Sequence, residues 1–282
     1  MRFQEFADLH GLVVPSLFPS ERIKRCGTKE HPNSKNGAYF WNGKRGWIFA
    51  WDGEAVTQWF NDPNEAPWTD IEKQQWRRKQ HLAEDAKIKK QKSAADKASE
   101  MLCSCKADQH DYFHYKGLKE AKGLVLPDGA LFIPMRNLET NALQGGQILK
   151  WIDRKWEKKM LPGMKAKGAV LRLGSNLAET ILCEGYATGL SIEQAARNAG
   201  LSLSVLVCFS DSNMVHVAPL VKGHKYIYAD NDKSGAGESA AMKTGLMYCM
   251  SEKLGNDAND DHNDFGLMYV VKKIISTRRK AA

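Results

Sequence analysis

Apolar residues toward the C-terminal end come in short unbroken runs rather than in strict alternation. Thr180-Ile181-Leu182-Cys183, Leu203-Ser204-Val205-Leu206-Val207-Cys208-Phe209 and Lys225-Tyr226-Ile227-Tyr228-Ala229 each read as a strand buried on both faces. Residues 187–199 and 214–221 between them read as helices, and residues 237–254 as a long closing helix. This β-α-β-α-β-α rhythm predicts a mostly parallel sheet with helices on both sides.

Upstream the pattern changes three times. Residues 1–68 hold Trp41, Trp47, Trp51, Trp59 and Trp68 among short extended runs, and Phe40 to Phe49 reads as a hairpin turning at Asn42-Gly43. Residues 69–102 are Lys, Ala, Gln and Glu with few large apolar side chains, which predicts a long solvated helix linking two parts. Residues 103–174 return to strand signals, with Leu124-Val125-Leu126 and Ala130 to Met135 about the turn Pro127-Asp128-Gly129 and an alternating run from Gln147 to Ile152. Basic residues then crowd together: Arg154, Lys155, Lys158, Lys159, Lys165, Lys167 and Arg172. The expected organisation is therefore 1–68, 69–102, 103–174 and 175–282.

Charge narrows the partners. The 282 residues carry a net charge of +8, which favours an anionic partner, nucleic acid first among them. No apolar run is long enough for a membrane helix, and the first residues lack the apolar stretch of a signal peptide, so a cytoplasmic protein without a membrane partner is expected. The six cysteines are scattered and predict no disulfide framework. No GxxxxGK[ST] loop occurs, so the chain is not expected to carry a helicase motor.

The candidate chemistry sits at strand ends. Glu184 follows the first apolar run and precedes Gly185; Asp230 and Asp232 follow the third. Ligands of open parallel sheets collect at the carboxyl ends of the strands, and paired carboxylates make a hard-oxygen site suited to magnesium. In extended backbone Asp230 and Asp232 would point the same way, and Gly235 and Gly237 open a helix whose N-terminus favours phosphate. Asp261 and Asp264, in the acidic run 257–264, could add ligands for a second metal.

Glu184-Gly185-Tyr186-Ala187-Thr188-Gly189-Leu190-Ser191 and Ala229-Asp230-Asn231-Asp232 resemble the Toprim domain of phage and plasmid primases. The resemblance runs in order over residues 103–275: His110 to Leu118 is similar to that family's "HpYlxxKGl" element, Ile133-Pro134-Met135-Arg136-Asn137 to its "vPlrd" strand, Lys159-Met160-Leu161-Pro162-Gly163 to its "KxfL" segment, and Asp261 to Phe265 to its "DxNDl" element. It implies a Toprim-type α/β fold preceded by a small basic α+β subdomain and an aromatic-rich N-terminal β domain. It also implies metal-dependent synthesis of short RNA primers from NTPs on single-stranded DNA. Glu184 would be a base or metal ligand, Asp230 and Asp232 ligands of magnesium or manganese, and Lys116 and Arg136 part of a basic cleft. The stretch 154–172 would grip the template, and a replicative helicase would be supplied in trans. Cys26 to Pro32 is similar to the first half of a primase zinc ribbon, but no Cys or His stands near Trp47 to Trp51 to complete four ligands; no zinc is expected. Trp47 and Trp51 are candidates for stacking on bases. A Toprim nuclease or topoisomerase-like enzyme and a non-catalytic DNA-binding accessory protein are the alternatives.

Overall fold

Side-chain alternation shapes the aromatic N-terminal segment. In the computed structural model, which describes residues 1–52, 56–62 and 70–281, helix α1 (Phe3–Leu9) precedes strands β1 (Leu12–Val13), β2 (Ser20–Thr28), β3 (Gly37–Trp41), β4 (Arg45–Ala50) and β5 (Gln58–Asn61). The strands form one antiparallel sheet in chain order. The expected Asn42-Gly43 turn joins β3 to β4: Asn42 Oδ1 accepts the backbone N–H of Arg45 at 2.9 Å, and Gly43 takes φ +102°, a region open to glycine. Tyr39, Ile48 and Phe60 point inward onto Phe3, Phe6 and Leu12. Trp41 joins them, stacked on Phe3 at 4.7 Å. Trp68 lies outside the described residues.

The predicted helical linker is α2 (Asp70–Ser104). The chain divides within it into two compact units, Met1–Lys79 and Gln80–Ala282. The first half of the second unit holds β6 (Lys106–Asp108), α3 (Asp111–Tyr115), β7 (Gly123–Val125), β8 (Leu131–Asn137), β9 (Leu143–Ile152), β10 (Lys155–Met160) and β11 (Ala169–Leu173). The second half holds β12 (Glu179–Cys183), α4 (Tyr186–Asn198), β13 (Ser204–Val207), α5 (Asp211–Val217), β14 (His224–Ala229), α6 (Ala236–Thr244), β15 (Tyr248–Met250), α7 (Ala258–Phe265) and α8 (Leu267–Ala281).

These halves share one sheet. Among the described residues it runs β10-β9-β8-β11-β13-β12-β14-β15, with β7 also on β8 and β6 on β7. Its C-terminal four strands are parallel, β11 joins them antiparallel through Leu171 and Val207, and the rest is antiparallel. The fold is therefore α/β with a mixed sheet rather than a mostly parallel one, and no break in the sheet falls at residue 174. Ile181, Cys183, Val205, Val207, Tyr226 and Tyr228 face α4, α7 and α8. Leu182, Leu206, Ile227 and Ala229 face α5 and α6. Burial on both faces is why these strands read as continuous apolar runs.

Several boundaries differ from expectation. The helix expected over 237–254 ends at Thr244, where Gly245 takes φ +69° as its cap, and β15 follows as a fourth parallel strand. The helix expected from 214 begins at Asp211, because Ser210 Oγ accepts the Asn213 N–H at 3.2 Å and caps it. The acidic run 257–264 is helix α7, capped by Asp257. No helix among the described residues is long and apolar enough to cross a membrane.

Candidate metal and phosphate site

The carboxyl ends of β12, β13 and β14 lie side by side because the three strands pair in parallel: Leu182 is opposite both Leu206 and Ile227. An acid closely follows each strand, namely Glu184, Asp211 and Asp230. Beyond β13 the backbone stays zipped to its neighbour, with the Phe209 N–H donating to the Glu184 carbonyl at 2.9 Å. Phe209 then takes φ +63°, a left-handed conformation that costs a residue with a Cβ about 1 kcal/mol. This turn brings Asp211 to Glu184.

The cluster repels its own charge. Burial pushes Glu184 up to about 7, and Asp211, with which it shares a hydrogen bond, and Asp232 push it further. Asp230 rises to about 8, first through burial and then through Asp257, Glu184, Asp211 and Asp232. Burial raises Asp211 as well. One oxygen of Asp211 and one of Asp230, each Oδ1, are buried without a hydrogen-bond partner. Unpartnered carboxylate oxygens in a site that resists negative charge are what a divalent cation would satisfy. The donor set therefore fits magnesium or manganese.

Asp232 is tied to the start of α6. Its Oδ1 accepts from the Ser234 hydroxyl at 2.5 Å and the Ser234 N–H at 2.7 Å, and its Oδ2 accepts the Gly237 N–H at 3.0 Å. The Ser234 hydroxyl leads in holding this carboxylate down at about 2, helped by the backbone N–H groups of Gly237, Ser234 and Ala236. Gly237 packs so tightly on the Asp230 carbonyl that no side chain fits there, which keeps the start of α6 against the cluster.

Lys158 stands opposite these acids. It shares one face of β10 with Trp156, and Trp156 packs on Tyr112 at 5.3 Å. Lys158 is exposed as a residue, but partial desolvation of its ammonium and then Lys116 lower it, while Asp257, Asp230 and Glu184 act in the opposite sense. Lys116 is fixed through its backbone: its carbonyl accepts from Asn259 Nδ2 at 2.8 Å and Asn263 Nδ2 at 3.2 Å, and its ammonium lies 4.0 Å from Asp260. Gly117 beside it has φ +71° and faces Asn263 with no space for a Cβ. Two distant stretches of sequence, 110–118 and 257–265, thus meet at the cluster.

The other expected site residues are distributed differently. Asp261 is fully buried and accepts from the Tyr228 hydroxyl at 2.7 Å and the Ser251 hydroxyl at 2.5 Å. Asp264 pairs with Lys253 at 2.5 Å. Arg172 is turned toward the opposite ends of the parallel strands, donating to Ser204 Oγ at 2.7 Å and Thr180 Oγ1 at 3.2 Å. Arg136 donates to the Asn141 carbonyl at 3.0 Å, Lys159 pairs with Glu157 at 2.6 Å, and Arg154 takes φ +61° in the exposed turn after β9. Lys165 and Lys167 are exposed on the loop before β11. Asp211 and Asp257 were not anticipated; Ser210 as a helix cap after an apolar strand was the available signal for Asp211.

In the first unit Phe40, Trp47 and Trp59 occupy the outward face, with Phe40 and Trp47 stacked at 6.5 Å and Trp47 paired with Trp59 across strands. Arg25 lies 3.8 Å over the ring of Trp51. Among the described residues, Glu30, His31 and Asp52 are the three side chains whose ligand atoms all fall within 4.8 Å of one another. Two of them are exposed, and both Asp52 oxygens accept hydrogen bonds, from Thr28 and Asn36. Cys26 is a buried thiol raised by that burial.

No protein-family model matches the chain, and no curated protein matches it.

Proposed function

We propose that the second unit is the catalytic core of a primase of the phage and plasmid type, with a Toprim fold, joining ribonucleotides on a single-stranded DNA template. The observation that carries this reading is the convergence of Glu184, Asp211 and Asp230 at the ends of three parallel strands, with Lys158 facing them. Magnesium or manganese held by Glu184, Asp211 and Asp230 would supply charge neutralisation for a triphosphate. Asp232, ionised throughout the neutral range, adds negative charge at the mouth of the site.

If Glu184 is left free of the metal, it would accept the proton of an attacking 3′-hydroxyl; if it is a ligand, that proton would pass elsewhere. Lys158 and Lys116 offer positive charge where phosphate oxygens would gather. Most of the work in phosphoryl chemistry is positioning and charge stabilisation, and these side chains provide both. Arg136, Arg154, Lys159 and Lys165 would contact template phosphates, so template affinity should fall steeply with salt. Trp47 and Trp51, on a face rimmed by Arg25, would stack on template bases. A helicase partner acting in trans completes the proposal.

The test is to incubate the protein with single-stranded DNA, labelled ribonucleotides and magnesium. Short RNA products support the reading. Cut DNA would move the assignment to a nuclease, and neither product would move it to a non-catalytic DNA-binding role.

A further inference from the structure

A cavity of about 430 Å³ opens beside the carboxylate cluster, lined by Met135, Met160, Lys167, Ser210, Ser212 and His216 among others. Its size falls within the range of about 300–1,000 Å³ common for small-molecule sites. Two connections along the chain place it near the acids. Ser210 and Ser212 flank Asp211, whose carboxyl shares a hydrogen bond with Glu184. Met160 stands two residues from Lys158 on the same face of β10, and Lys158 feels Glu184 and Asp230.

The walls have mixed chemistry. Met160, half-buried, presents a polarizable thioether, which packs well against flat unsaturated rings, and the fully buried Met135 backs that wall. Ser210, Ser212 and His216 place two hydroxyls and an imidazole around the same space. Lys167 is exposed and makes no ion pair or hydrogen bond with the described residues. Asn213 holds the two sides together: its Oδ1 accepts the Gly168 N–H at 2.7 Å, and its Nδ2 donates to the Ala169 and Cys208 carbonyls at 2.8 Å each. The cavity is thus pre-formed between the lead into β11 and the start of α5.

We propose that this cavity receives the nucleoside of a free nucleoside triphosphate whose phosphates lie toward the carboxylate cluster, with Lys167 adding charge at the rim. The choice of a triphosphate rests on the polymerase reading above; the apolar wall, the hydroxyls and the free ammonium rest on the cavity itself. Lys167 is assigned here to the nucleotide rather than to the template.

The test is calorimetric titration of the full chain with a non-hydrolysable ribonucleoside triphosphate and magnesium, alongside titration with a single-stranded DNA oligonucleotide. Val215→Trp narrows the cavity, and Lys167→Ala changes only an exposed side chain and so leaves folding intact. Each should weaken nucleotide binding by about tenfold or more while oligonucleotide affinity stays within about twofold. Unchanged nucleotide affinity in Lys167→Ala and in a folded Val215→Trp overturns the proposal. So does a loss confined to the oligonucleotide, or a wild type that binds no nucleotide. Primer synthesis separates the two ideas: a wild type that makes primers while both variants bind nucleotide normally removes the cavity and keeps the polymerase reading. Nucleotide binding lost in both variants, with no primers from the wild type, does the reverse.

Discussion

Glu184 donates a hydrogen bond to Asp211 across the ends of two parallel strands, and it can do so only when protonated. With Asp230 also raised, to about 8, the folded metal-free protein holds protons near neutrality that the unfolded chain has released. The folded state then binds more protons than the unfolded one, so stability falls as pH rises. For these groups the loss begins above the ordinary carboxylate range and is complete once pH passes about 8. Urea denaturation without metal should give a stability several kcal/mol lower at about pH 9 than at about pH 5 from this cluster. Glu184→Gln and Asp230→Asn should each flatten that slope, and an unchanged slope in both would contradict the assignment.

Divalent metal must displace the same protons. Magnesium affinity should therefore rise between about pH 6 and pH 8.5, with proton release on binding. Calorimetry in two buffers of different ionisation enthalpy measures that release directly. Asp230→Asn should abolish both the heat of binding and the release. Binding that is independent of pH would place the ion elsewhere.

The two later acids are expected to separate. Asp261→Ala leaves the Tyr228 and Ser251 hydroxyls without their acceptor in a fully buried position, and should cost about 2–4 kcal/mol in chemical denaturation. Asp264→Asn disturbs an exposed pair with Lys253 and should leave stability close to wild type. Equal effects of the two substitutions on metal affinity, with no effect on stability, would restore both as ligands.

The outward aromatic face of the first unit makes its own prediction. Trp51→Ala removes a ring carrying Arg25 at 3.8 Å, and Trp47→Ala removes the ring stacked on Phe40 at 6.5 Å. Each should lower affinity for single-stranded DNA by about 1–3 kcal/mol if a base stacks there. Fluorescence quenching of the wild type by oligonucleotide, absent from the double variant, would support this; equal affinities would refute it.

Legibility in the sequence followed burial. β12, β13 and β14 could be read because both faces are buried and the apolar runs are unbroken. β10 could not, because its exposed positions are lysines and Trp156 was the one strong apolar mark in Lys155–Met160; charged edge strands avoid unwanted pairing at the expense of a clear pattern. β15 was hidden inside a helical stretch that only Gly245 interrupts. Glu184 and Asp230 were readable from strand ends, whereas Asp211 depended on a helix start set by Ser210. Asp232 was readable from its strand end as well, but its hydrogen bonds to Ser234 and Gly237 were not, because they depend on how the chain enters α6.

The most direct test of the central claim is primer synthesis on single-stranded DNA with labelled ribonucleotides and magnesium, comparing wild type with Asp230→Asn/Asp232→Asn. The account predicts short RNA from the wild type, a loss of at least about 100-fold in the double variant, equivalent to about 3 kcal/mol of barrier, and DNA binding retained in both. Full primer synthesis by the double variant would contradict it.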